Sequence, residues 1–208
     1  MTNRREFLHL GVAALSLPIA ARAGMSARMS PPVVEPDPKE LPVYKVIFDE
    51  RFESCSAFAN ALKRRELPTH AIRGDITDVW FNDLSDQWKK TPVAIAGLTA
   101  PGPIFCLEML ARDAGMRVTL RVDHRRRAPD RVEHMVTGPA SVIARAAGLG
   151  ASAEEWPERV AEWVAHYPAT VDAAQTRTLQ GRIRPASNDP EHLVSWVIAP
   201  VAEPPRRP

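Results

Sequence analysis

The sequence predicts an α/β fold of three layers, in which helices cover both faces of a mixed sheet. From residue 43, short apolar runs alternate with helical stripes, which is typical of parallel strands joined by right-handed crossovers. From residue 116 the apolar residues repeat every second position, which predicts an antiparallel hairpin. A further apolar run at residues 193–198 predicts a last strand. We therefore expect a parallel βαβαβαβ core with strand order beginning 2-1-3, plus the hairpin and the C-terminal strand.

The first strand is predicted at residues 43–48 and ends at Asp49. A helix follows, because apolar residues recur at i, i+3, i+4 and i+7, and cations at 63–65 suit the negative end of its dipole. Residues 69–72 form a short second strand. The stripe of this first helix consists of Cys55, Phe58, Ala59 and Leu62.

A second helix is predicted between Asp75, which can cap it, and Pro92, which ends it. Its apolar residues recur every fourth position: Ile76, Trp80, Leu84 and Trp88. Residues 93–96 are continuous and small, which is typical of a strand buried on both faces. A loop at 97–102 leads to a third helix that begins near Pro103 and stops at Gly115.

The hairpin is predicted from two alternating segments around a turn at residues 128–130. Pairing across that turn places His124 opposite His134 on one face. Helices are expected at 141–147 and 157–166, and residues 168–190 are expected to be irregular. The alternating apolar positions are Val118, Leu120 and Val122 on one strand and Val132 and Val136 on the other.

The chain of 208 residues has room for one domain and its tails. We predict a signal peptide at 1–23, a Pro-rich linker at 24–42, a single α/β domain at 43–200 and a Pro/Arg-rich tail at 201–208. No stretch reaches the roughly 18 to 20 apolar residues of a membrane span.

Charge argues against nucleic acid as a partner. Once Arg4, Arg5, Arg22 and Glu6 leave with the signal peptide, the 27 basic and 25 acidic residues become 24 of each. A balanced chain has no general attraction to polyanions. Residues 125–127, three consecutive arginines, are the local exception, and we interpret them as a solvated hairpin tip.

The first residues predict export to the periplasm. They combine a charged start, a moderately apolar middle and a small-x-small cleavage site, and the Arg-Arg pair is followed by x-Phe-Leu, as in twin-arginine (Tat) signals. The Tat translocase is then a transient partner. The residues that carry this motif are Arg4, Arg5, Phe7, Leu8, Ala21 and Ala23.

The Tat route carries folded cargo, often with a cofactor, yet the mature sequence contains no Cys-x-x-Cys, Gly-x-Gly-x-x-Gly or His-Glu-x-x-His motif. We therefore expect no cofactor. Fast folding, or export together with a partner protein, explains the route instead.

Three blocks of the domain, at residues 70–75, 94–99 and 105–108, resemble a family of Tat-exported proteobacterial proteins of unknown function. The resemblance implies export and an α/β fold. It brings no catalytic residue to this chain.

A strand order beginning 2-1-3 places a ligand crevice at the carboxyl ends of strands one and three. A helix N-terminus there favours an anion, and an arginine can bind a carboxylate or phosphate. The alternative is that Asp49 and Thr99 only cap helices. The predicted ligand-binding residues are Asp49, Arg51, Ser54, Thr99 and Gly102.

Catalysis and metal binding remain alternatives. Cys106, near a helix N-terminus, is a candidate nucleophile with His70 or His124 as its base, and Asp49 is a candidate acid or base. His124 and His134 are candidate metal ligands if His192 supplies a third. Cys55 and Cys106 are predicted to be unbridged, because their helices cover opposite faces of the sheet.

Three functions follow. The first is a periplasmic accessory or binding protein that holds a partner protein or a small anionic ligand at the carboxyl ends of the strands. The second is a small periplasmic hydrolase or transferase that uses Cys106 or Asp49 with a histidine. The third is a metal-binding module built on His124 and His134.

Overall fold

The computed structural model describes residues 40–150, 155–170, 173–183 and 188–200, which all belong to one compact unit. The predicted signal peptide, the linker up to residue 39 and the tail from residue 201 lie outside the described residues. In the described part, no helix is long and apolar enough to cross a membrane.

The described strands form one seven-stranded mixed sheet in the order β2-β1-β3-β7-β4-β5-β6. β1 pairs in parallel with β2 and β3, and the remaining neighbours are antiparallel. The α/β fold and the order beginning 2-1-3 are confirmed. The strands are β1 (Val43–Asp49), β2 (Thr69–Ile72), β3 (Ala94–Thr99), β4 (Met116–Ala128), β5 (Arg131–Pro139), β6 (Ala174–Arg182) and β7 (His192–Pro200).

Helices cover both faces of the sheet, as predicted. The face on which α1, α5 and α6 pack is called the first face, and α3 and α4 pack on the second face. The helical segments are α1 (Glu53–Lys63), α2 (Thr77–Val79), a π-helix (Trp80–Leu84), α3 (Ser85–Lys90), α4 (Pro101–Asp113), α5 (Ala140–Arg145), a 3₁₀ helix (Ala146–Gly150) and α6 (Trp156–Ala165).

The predicted apolar stripe of α1 is buried on the first face, and all four of its residues are fully inaccessible. The predicted second helix consists of three consecutive segments, and the middle one is a π-helix. Leu84 and Trp88 are buried, but Trp80 is only half-buried and contacts Trp88 edge to face at 5.8 Å. Ile76 is buried as well, and all four stripe residues lie in or against the second-face core, so the predicted stripe stays on one face.

β7 enters the sheet between β3 and β4 and is antiparallel to both. β4 therefore keeps the direction of β1–β3 without pairing with them. A register shift between Val118 and Leu120 also interrupts the alternation of β4. Leu120 and Val122 contribute to the first-face core, whereas Val118 packs on the second face, so its predicted place beside them was wrong.

The expectation that residues 168–190 are irregular was wrong for Ala174–Arg182, which form β6 at the edge of the sheet. Most of its side chains are exposed and polar on both faces. An edge strand of this kind has no hydrophobic alternation to reveal it, because it contributes little to the core.

Candidate functional site

The carboxyl ends of β1, β2 and β3 lie at one edge of the sheet, because these neighbours are parallel. The predicted ligand-binding residues lie at the last positions of β1 and β3, in the loop after β1, and in the first turns of α1 and α4. This edge, named the carboxyl edge, therefore collects parts of the chain about fifty residues apart in sequence, as expected for an α/β crevice.

Arg51 is held at the carboxyl edge by Asp49. Its Nε and Nη2 atoms donate hydrogen bonds to the two carboxylate oxygens at 2.8 and 2.6 Å, and these bonds raise the pKa of the guanidinium. The Asp49 side chain is fully buried, whereas that of Arg51 is 40% exposed. Among the described residues, Nη1 has no hydrogen-bond partner, so this arginine presents a fixed and partly free cationic edge.

Gly74 supports the guanidinium from the loop after β2. Its φ of +85° favours glycine, and a Cβ there would lie 2.9 Å from Cζ of Arg51. The side chain of Arg51 thus rests on bare backbone. This role of Gly74 was not predicted from the sequence, although the residue stands directly before a predicted helix.

The N-terminus of α1 is occupied by the protein's own polar side chains. The backbone N–H of Ser54 donates to Oδ1 of Asp189 at 3.0 Å, and the Ser54 hydroxyl donates to Oδ2. The backbone N–H of Glu53 donates to Oδ1 of Asn188 at 2.9 Å. Ser54 therefore binds an internal carboxylate, which the sequence analysis did not predict because Asp189 lies 135 residues away.

Thr99 and Gly102 differ in accessibility. Thr99 is fully buried, donates to the carbonyl oxygen of Ala100 at 2.9 Å and accepts from Nε1 of Trp196 at 3.3 Å. Gly102 is exposed in the first turn of α4, with open space beside it. The N-cap residues of α1 and α4 are Phe52 and Ala100, and neither makes a side-chain capping hydrogen bond, so Asp49 and Thr99 do not have the helix-capping role considered as the alternative.

The predicted pairing of His124 with His134 is confirmed. Their Nδ1 atoms share a hydrogen bond of 2.7 Å, and Nε2 of His124 lies 2.6 Å from the Ser195 hydroxyl. All three residues are buried, and the Trp156 ring packs on the two histidines, with its centroid 4.2 Å from that of His124. Ser195 was not predicted, because only the insertion of β7 beside β4 places it there.

Burial keeps this histidine pair neutral. It lowers the pKa of His134 to about 4. Burial, together with the positive charge that His134 and His192 can carry, holds the pKa of His124 well below its usual value. Nε2 of His134 is buried and has no hydrogen-bond partner in the described part of the chain. The pair is therefore a desolvated element of the core.

The order Ser195–His124–His134 has hydrogen-bond lengths that suit activation of a serine. Ser195 is fully inaccessible, however. The neighbouring cavity, lined by His124, Arg126, Trp156 and Asp189 among others, has a volume of about 20 Å³, which is the size of a single water molecule. This space is too small for a substrate.

The histidine pair does not form a metal site with His192. The two Nδ1 atoms face each other at hydrogen-bond distance, and His192 lies on the second face, where its Nε2 is 2.8 Å from Oδ1 of Asp123. In the ranges that the structure describes, no group of three His, Cys, Asp or Glu side chains could hold a metal ion.

The two cysteines are unbridged, as predicted. Cys55 is buried in α1 on the first face, and burial raises the pKa of its thiol. Cys106 is exposed on α4, on the second face. His124 points into the first face, so it is not the base considered for Cys106. Nε2 of His70, the other base considered for Cys106, lies 3.6 Å from Oδ2 of Asp78.

The geometry defines an α/β protein with an arginine fixed at the carboxyl edge and a buried histidine pair. Comparison with family models, with curated proteins and with solved structures finds no match. The assignment of a function therefore depends on the site itself.

Proposed function

We propose that this chain is an exported binding protein that holds an anionic group, of a partner protein or of a small ligand, at the carboxyl edge. The observation that carries the proposal is the geometry of Arg51. A buried carboxylate fixes its Nε side, Gly74 supports its plane, and Nη1 remains available. A cation that is already oriented loses little freedom when it binds a carboxylate or phosphate.

Accessibility favours binding over the enzyme alternative. Asp49 and Thr99 are fully buried and hydrogen-bonded within the fold, so neither is open to a substrate. Cys106 is exposed, but His124 is directed away from it across the sheet. Arg51 and Gly102 are the two predicted binding residues that reach solvent.

We predict that Arg51→Gln weakens anion binding about tenfold or more, since a hydrogen bond to a charged group contributes about 1.5–3 kcal/mol. Amide chemical shifts can follow titrations with inorganic phosphate and with acetate, and the shifts should cluster at residues 50–54, 73–75 and 100–104. Arg73→Gln is the matched control, because Arg73 follows β2 at the same edge, is 75% exposed and pairs with Glu50.

Arg51→Gln also removes the partner of a buried carboxylate, so Asp49→Asn/Arg51→Gln serves as a second variant in which no buried charge is left alone. Both variants should lose the phosphate and acetate shifts while Arg73→Gln keeps them. Unchanged titrations in a folded Arg51→Gln protein would refute the proposed site.

The export part of the proposal is supported by the sequence of residues 2–23 and has a separate test. Replacing Arg4 and Arg5 by lysine should leave unprocessed precursor in the cytoplasm, because the translocase recognises the arginine pair. Fractionation followed by immunoblotting measures this. Normal periplasmic accumulation of the double variant would contradict Tat export.

A further inference from the structure

In the part of the chain that the structure describes, no helix packs on the second face of β5 and β6. The helices that pack on these strands, α5 and the 3₁₀ helix, lie on the first face with Val136 and Leu149. The intervening side chains point to the second face and are exposed or half-buried. They are Arg131, Glu133, Met135 and Thr137 of β5, and Thr176, Thr178, Gln180 and Arg182 of β6.

Arginines gather at one corner of this open face, where β4 turns into β5. Arg131 is directly opposite Arg182, and Arg125 is directly opposite Glu133. Arg127 reaches the same carboxylate, with its Nη2 at 2.5 Å from Oε1 of Glu133. Arg125, Arg127, Arg131 and Arg182, together with Glu133, are named the arginine corner.

The arginine corner has more cations than its own acid can balance. Glu133 already accepts hydrogen bonds from Arg127 and from Nε2 of Gln180 at 3.2 Å. Among the described residues, Arg131 and Arg182 have no ion-pair partner, and Arg125 interacts with Glu133 only through a longer-range electrostatic attraction. Like charges directly opposite on neighbouring strands destabilise a sheet, so the pairing of Arg131 with Arg182 is unfavourable until an anion lies between them.

The surroundings favour carboxylates of a protein over phosphates of a nucleic acid. The eight open-face side chains of β5 and β6 include no aromatic ring on which a base could stack. Glu133, at the centre of the corner, would repel a continuous phosphate backbone but leaves separate positions for individual carboxylates, which arginine binds in a two-point geometry.

We propose that the arginine corner docks an acidic segment of a partner protein. The surface is mostly polar, and its outer strand β6 is the last strand of the described sheet. Its residues are distinct from Arg51 and Gly74, so either proposal can fail while the other holds.

A fluorescent twelve-residue peptide rich in Asp and Glu tests the proposal by anisotropy at physiological salt. Arg182→Glu should weaken binding about tenfold or more, and Arg131→Glu should do the same. Arg177→Glu is the matched control, because Arg177 is an exposed residue of the same strand whose side chain points to the first face beside Val136. It changes the net charge equally and should alter binding less than twofold.

Three outcomes would overturn the proposal. In the first outcome, the wild-type protein does not bind the peptide. In the second, Arg177→Glu weakens binding as much as Arg182→Glu, which would show that net charge alone attracts the peptide. In the third outcome, a single-stranded oligonucleotide or vesicles of anionic lipid bind the arginine corner more tightly than the peptide. Arg182→Gln, with circular dichroism as a check of folding, gives the same comparison if the charge reversal disturbs β6.

Discussion

The free energy of unfolding should fall by roughly 3 kcal/mol as the pH decreases from 6.5 to 4, because His134 is buried in its neutral form. The pKa of His134 is lowered to about 4 in the fold, whereas an unfolded histidine has an ordinary pKa near 6.5. The unfolded chain therefore binds a proton first as the pH falls. Above pH 7 both states are neutral at this residue, and its contribution no longer changes.

His124 also lowers the free energy of unfolding as the pH decreases, because burial holds its pKa well below the ordinary value. Carboxylates change the free energy of unfolding only at lower pH. Glu133, for example, has a pKa lowered by its hydrogen bond to Arg127, so it loses its stabilising effect only below an unfolded value near 4.5. The change in the free energy of unfolding between pH 6.5 and about 4.5 thus arises mainly from the histidine pair.

Urea denaturation at a series of pH values measures the change in stability, and the carbon and nitrogen shifts of the imidazole rings measure the two pKa values directly. Replacing His166, which is half-exposed, by Gln provides the control for loss of a histidine outside the core. Flat stability between pH 7 and 4.5, or ordinary titration of both rings near 6.5, would show that the pair is not buried as described.

Gly97→Ala should destabilise the protein by about 3 kcal/mol or more, the upper end of the cost of overpacking. A Cβ on this residue of β3 would meet the carbonyl oxygen of Ile47 and the ring of Trp196 well inside van der Waals contact. Neither group can move freely, because Ile47 is in the neighbouring strand β1 and Trp196 is fully buried.

Gly102→Ala is the matched control for this substitution. The same methyl group would enter open space in the first turn of α4, so stability should change by less than about 0.5 kcal/mol. Chemical denaturation of both variants gives the comparison. A cost below about 1 kcal/mol for Gly97→Ala would mean that β1 and Trp196 do not approach β3 as closely as in this structure.

Residues close together in sequence determined the elements that were predicted correctly. The stripe of α1 follows a helical period, and the facing positions of His124 and His134 follow from the hairpin turn between them. In each case the pattern and the contact belong to the same or adjacent elements, so spacing alone is enough.

The carboxyl edge was predicted from topology, but the contacts within it were not. The sequence indicated that Arg51 lies near the ends of the parallel strands, which is where the structure places it. That Asp49 and Gly74 fix its guanidinium, and that Asp189 binds the N-terminus of α1, depended on side chains from separate loops. Whether an anion binds there stays a prediction.

The sequence by itself thus determined the strand–helix order of the parallel core and the hairpin, and it favoured two unbridged cysteines without deciding the matter. Only the tertiary structure decided that β7 lies between β3 and β4, that β6 closes the sheet as a polar edge strand, and that Ser195 joins the histidines. The physical reason is the range of the interactions. Helical and strand periods arise from neighbouring residues, whereas strand insertion and buried polar networks depend on which distant segments leave the fewest unpaired groups.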